Sequence, residues 1–92
     1  MSEKIWSDEA WADYLYWQTQ DKKTLKKINE LIKDIERNGP IEGTGQPEAL
    51  KGNLQGEYSR RIDNKNRLVY HIEGGRIYIA LRNAAGITTT EN

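Results

Sequence analysis

The strongest constraint on the fold lies in residues 67–82, two alternating stretches broken only by Gly74-Gly75. In Arg67–Glu73, Leu68, Tyr70 and Ile72 share one side, while Arg67, Val69 and His71 share the other. In Arg76–Arg82, Ile77, Ile79 and Leu81 stand opposite Arg76, Tyr78, Ala80 and Arg82. Strand side chains point alternately to the two faces of a sheet, so a period of two reads as strands. Consecutive glycines both tolerate positive φ and form the tight turn that brings one strand back antiparallel to the other. A third stretch, Glu57–Asp63, puts Tyr58, Arg60 and Ile62 on one side and Ser59, Arg61 and Asp63 on the other. Such a sheet has one apolar side and needs a covering layer.

The N-terminal part supplies that layer. Ser7 precedes Asp8 and Glu9 and reads as a cap, with the two acids at the positive end of the helix dipole. Apolar Ala10, Trp11, Tyr14 and Leu15 then recur at helical spacing to about Gln18. Asp21 reads as the cap of a second helix, in which Leu25, Ile28, Leu31, Ile32 and Ile35 form one stripe before Asn38-Gly39-Pro40 ends it. So short a break predicts a helical hairpin. The expected class is α+β, a small twisted antiparallel sheet with a two-helix hairpin packed on one face. Lys4-Ile5-Trp6 is too short to assign alone.

With 92 residues there is room for one domain. There are no cysteines and a single histidine, His71, so neither a disulfide framework nor an imidazole or thiolate metal site is expected. No apolar run is long enough to cross a bilayer, and MSEKIW does not read as a secretion signal. The expectation is a soluble, cytoplasmic protein without a cofactor.

Formal net charge is zero, with 14 basic and 14 acidic groups, which by itself argues against a nucleic-acid binder. The distribution argues otherwise. Five arginines, Arg60, Arg61, Arg67, Arg76 and Arg82, fall in the three predicted strands. With the apolar sides turned to the helices, the second sheet face carries Arg61, Arg67, Tyr78 and Arg82. A local positive field attracts phosphate even on a neutral chain. Arg60 falls on the opposite side, which predicts a structural role. Between helices and strands, residues 39–56 hold Gly39, Pro40, Gly43, Gly45, Pro47, Gly52 and Gly56 and no periodic pattern. This reads as a long loop, and long loops in compact domains are often functional.

The segments WSDEAWADYLYW (Trp6–Trp17), KKINELIKDIERN (Lys26–Asn38), GTGQPEALKGNLQGEYSRRI (Gly43–Ile62) and NRLVY (Asn66–Tyr70) follow in this order. Together they resemble the YoeB/Txe family, part of the RelE/ParE superfamily of type II toxin–antitoxin toxins, from about Ile5 to Ala80. The resemblance implies an mRNA interferase that cuts mRNA in the A site of the translating ribosome without a metal. In that chemistry the ribose 2′-hydroxyl attacks the adjacent phosphate and expels the 5′-oxygen. It implies partnership with a YefM/Axe-like antitoxin and with the ribosome, and possible homodimers, for which Trp6, Trp11 and Trp17 offer aromatic surface. A gyrase poison of the ParE kind shares the fold but not the segments around Glu48 and Arg67.

By the same resemblance, Glu48 matches the general base and Arg67 the phosphate-stabilising arginine. Lys51, Arg61 and Arg82 would hold the RNA backbone. Taken alone, Glu48 is an ordinary solvated loop carboxylate and the arginines an ordinary sheet surface; the surrounding motifs single them out. Gln46 and Ala49 stand where the family commonly carries lysine and proline. The larger departure is at the end. Family members close their last strand with His-Tyr, the histidine serving as general acid, but this chain reads Arg82-Asn83-Ala84-Ala85-Gly86. His71 lies on the arginine-bearing face, although the family position it matches is not catalytic. The expectation is a toxin domain over residues 1–82, an atypical tail over 83–92, and impaired or absent cleavage with the binding surfaces kept.

Overall fold

The computed structural model describes residues 3–84. Ser7 caps the first helix as expected: its hydroxyl accepts the N–H of Ala10 at 3.1 Å, and α1 runs Asp8–Gln20. The Asp21 carboxylate accepts the N–H of Thr24 at 3.0 Å and starts α2, Lys22–Asn38. Gly39 ends that helix at φ 90°, where its own N–H donates to Ile35 O. The stripe of α2 does what its spacing requires: Ile28, Leu31, Ile32 and Ile35 are buried, with Leu25 at its margin. Helix α1 contributes less. Of its large apolar side chains, Trp11, Leu15 and Tyr16 remain exposed, and only Ala10 is fully buried.

The strands are β1 Glu3–Trp6, β2 Glu48–Ala49, β3 Tyr58–Arg61, β4 Asn66–Glu73 and β5 Arg76–Asn83, with a 3₁₀ turn at Gly52–Leu54. They form one sheet in the order β1-β5-β4-β3-β2. The three predicted strands are its antiparallel centre, and Gly74 and Gly75 make the β4–β5 turn with φ of 58° and 77°. Two edge strands were not legible. Residues 3–6 lie parallel to β5, which makes the sheet mixed, and Glu48–Ala49 pairs with β3 inside what reads as loop. An ion pair from Arg76 Nε to Glu3 at 2.6 Å fastens the far end of β1.

The main core lies between α2 and the sheet, where the helix stripe meets Ile62, Leu68, Tyr70, Ile77 and Ile79. Val69 points to the opposite face yet is 1% exposed, and Leu50 is 3% exposed. Leu50 donates its N–H to Glu57 O at 2.8 Å and so continues the β2 pairing by one residue. The alternation puts it on the face of Glu48. The arginine-bearing face therefore has a small apolar patch of its own, supplied in part by the glycine-rich segment.

Candidate functional site: an arginine row beside a carboxylate

The register sets the site. Arg61 of β3 is opposite Arg67 of β4, and Arg67 is opposite Arg82 of β5. These three arginines share one row across three strands, on the face away from the helices. Two residues along the same face, the next row reads Glu48, Ser59, Val69 and Ala80. From strand spacing and rise, Glu48 Cα sits about 12 Å diagonally from Arg67 Cα, a gap that a glutamate and an arginine side chain span from opposite sides. Like charges directly opposite each other destabilise a sheet. Among the described residues none of the three pairs with a carboxylate. Arg61 Nη2 donates to the side-chain oxygen of Asn64, and Arg67 Nη1 to the carbonyls of Asp63 at 2.7 Å and Asn66 at 3.2 Å. Arg61 and Arg82 are exposed and Arg67 is half-buried. A bound phosphate would offset their repulsion, and guanidinium forks match its oxygens.

Asp63 fixes the β3–β4 turn next to this row. Burial would raise its pKa, but hydrogen bonds from the Asn66 side chain and from the N–H groups of Lys65 and Asn66 hold it below the usual value. Lys51 is exposed at the entry to the 3₁₀ turn, beyond β2. The structure thus brings Arg61, Arg67 and Arg82 together, sets Glu48 one row away and leaves Lys51 at the flank. Ala84, at the limit of the described residues, donates its N–H to Lys65 O at 2.7 Å, while Ala85 and Gly86 lie outside them.

The segment carrying Glu48 is held from beneath by Arg60, as its inward position implied. Its side chain is 0% exposed and every guanidinium N–H is used. Nε donates to the Tyr70 hydroxyl at 2.9 Å. Nη1 donates to the Asp34 carboxylate and to Thr44 O, and Nη2 to Gly39 O and Glu42 O. The Tyr70 hydroxyl in turn donates to Pro40 O. Burial pushes the Tyr70 phenol pKa up, so the ring keeps its proton for that bond. The hydrogen bond from Arg60 holds the Asp34 carboxyl below the usual range despite desolvation, with Thr44 N–H and Asn38 adding to it. Past this anchor, Gly45 O accepts the Arg61 N–H at 2.7 Å, and Gln46 takes φ 53°, uncommon for a side-chain-bearing residue. The strained residue lies two positions before Glu48. An arginine at an apolar-face position was a readable signal; its partners, 10 to 26 residues away, were not.

Residues 6–83 match the family described as YoeB-like toxin of bacterial type II toxin-antitoxin system. The chain belongs to this family. Toxin YoeB of Escherichia coli (strain K12) is 58% identical over 76 residues, which span 83% of this chain and 89% of that protein. A solved YoeB-YefM complex from Staphylococcus aureus superposes with a TM-score of 0.83 at 51% identity, covering 87% of this chain and 92% of the other. The YoeB dimer from Staphylococcus aureus gives 0.81 at 46% identity over 99% and 97% of the two chains. YoeB kinship makes this chain a toxin of the type II toxin–antitoxin class. It also accounts for the two helices and the five-stranded mixed sheet.

Proposed function

We propose that the chain is a ribosome-dependent mRNA interferase with slowed cleavage. The observation that carries this reading is the Arg61–Arg67–Arg82 row with Glu48 in the next row of the same face. Glu48 takes the proton of a ribose 2′-hydroxyl, and the freed oxygen bonds to the adjacent phosphorus. Arg67 donates to the non-bridging oxygens, where negative charge grows. The bond from phosphorus to the 5′-oxygen then breaks. Arg61, Arg82 and Lys51 hold flanking phosphates. The nucleophile belongs to the RNA itself.

The last proton is the weak point. The general-acid position of the family falls on Ala84 or Ala85, so the leaving oxygen must be protonated by solvent. Loss of a general acid costs about 10²–10⁴ in rate. In this reading the toxin domain covers 1–82 and the remaining residues form a tail. The protein works where ribosomes are, in the cytoplasm; among the described residues no helix is long and apolar enough to cross a membrane. By kinship with the YoeB-YefM complex and the YoeB dimer, a YefM/Axe-like antitoxin covers the arginine face, and a second copy is available to the exposed Trp11, Leu15 and Tyr16.

Cleavage of ribosome-bound mRNA, read by primer extension, tests the proposal. The unsubstituted chain should cut weakly, Ala85→His with Gly86→Tyr should restore cutting, and Glu48→Ala or Arg67→Ala should abolish it. Vigorous cutting by the unsubstituted chain would overturn the slowed step. If the restored ending also fails to cut, the chain acts by binding alone.

A further inference from the structure

Four residues along β4 from Arg67, the same face carries a second feature. His71 is directly opposite Tyr78, and their rings are stacked face to face, 4.6 Å between centroids and 5° from parallel. Both are half-exposed. They border a concavity of about 240 Å³ whose walls include Ile5, Ser7, Glu57 and Ala80. Ile5 continues the row, opposite Tyr78 on β1, and Glu57 closes the far side. No lysine or arginine is among the lining residues.

A groove with aromatic walls and a carboxylate repels phosphate but suits a flat, uncharged ring that has N–H donors. Nucleobases have that character: single-stranded RNA is held by stacking its bases on aromatic side chains and by hydrogen bonds to their edges. The arginine row lies about 13 Å away along the strand, with the Glu48 row between. Phosphate and base sites are thus on one face, with the row that holds Glu48 at its β2 end lying between them.

We infer that the His71–Tyr78 groove is a base-binding subsite for a nucleotide flanking the cleaved phosphate. The base stacks on the ring pair, and Glu57 accepts a hydrogen from its amino group. Adenine, cytosine and guanine carry such a group and uracil does not, so the subsite disfavours uracil. The inference rests on the RNA reading above, and its test separates the two.

Equilibrium binding of the full chain to short 2′-O-methyl RNAs, which cannot be cut, provides the test. Each position in turn is made abasic. One position should show a loss of about 10-fold in affinity, the scale of one stacked base. Tyr78→Ala should weaken binding of the intact RNA by a similar factor and erase the abasic penalty. Tyr78→Phe should retain both, and Glu57→Gln should narrow the preference against uracil. Thermal unfolding of each variant confirms that the fold persists. An abasic penalty unchanged by Tyr78→Ala would overturn the subsite, as would its absence from the unsubstituted chain while Arg67→Ala still weakens RNA binding. If changes at Arg61, Arg67 and Arg82 leave RNA affinity untouched, the RNA reading itself fails. Loss of antitoxin binding in Tyr78→Ala with RNA affinity intact would assign the groove to a protein partner and overturn the inference.

Discussion

A guanidinium taken out of water is tolerated only if its donors find partners and its charge finds an opposite. Arg60 meets both conditions with Asp34, Tyr70 and three carbonyls. Arg60→Leu strands the Asp34 carboxylate and those carbonyls, so unfolding by urea should show a loss of about 3–5 kcal/mol. The pair also sets an acid limit. Asp34 titrates below its ordinary 3.8 in the folded chain, chiefly because Arg60 donates to it. Its contribution is therefore fully present above that value and is lost as pH falls below it, through the folded pKa. Asp34→Asn should be less stable at neutral pH and should show a shallower fall in stability below pH 3.8, checked by unfolding midpoints across that range. The residues of the proposed site are set by the same geometry. Arg60 and Arg61 are neighbours in sequence, and strand alternation sends one to the core and the other to the arginine row.

At the scale of elements, the glycine-rich segment behaves as two pieces. Its first half is packed: a Cβ on Gly43 would fall 1.8 Å from an Asp34 carboxylate oxygen, at φ 119°. Its second half is open, since a Cβ on Gly52 meets nothing within 4 Å, and only its φ of 67° resists a side chain. Gly43→Ala should thus cost well over 2 kcal/mol, whereas Gly52→Ala should cost about 1 kcal/mol; paired melting curves would check the difference. Much of the element pattern was legible because it is local. The α2 stripe, the Ser7 and Asp21 caps and the Gly74-Gly75 turn each declare themselves within a few residues. Strand β1 was not legible, because four residues cannot establish a period and its pairing with β5 spans 73 positions. Strand β2 has two residues and exists only through Glu48 and Ala49 pairing with Ser59 and Tyr58. The arginine row was half-legible: parity put Arg61, Arg67 and Arg82 on one face, but register across three strands put them side by side. The His71–Tyr78 stack depended on that register as well.

At the scale of the whole molecule, zero net charge conceals a one-sided field. In the proposed reading three arginines hold phosphates and release counterions on binding, and for single strands each such contact steepens the salt dependence by about 0.7 in log–log slope. Replacing Arg61, Arg67 and Arg82 together by alanine should flatten the slope by about 2, measured by fluorescence anisotropy on a short RNA from low to physiological salt. A single replacement should flatten it by a third as much. The anchor at Arg60 has one more consequence, for motion. Opening residues 39–46 alone would leave a buried cation facing empty space, so that segment has no inexpensive way to detach from α2 and the sheet. The Arg61 amide, bound to Gly45 O, should therefore exchange its hydrogen for deuterium only as slowly as the central strands do. The base of the proposed reaction then follows, three residues after Gly45, from a backbone that loosens only when the domain as a whole unfolds.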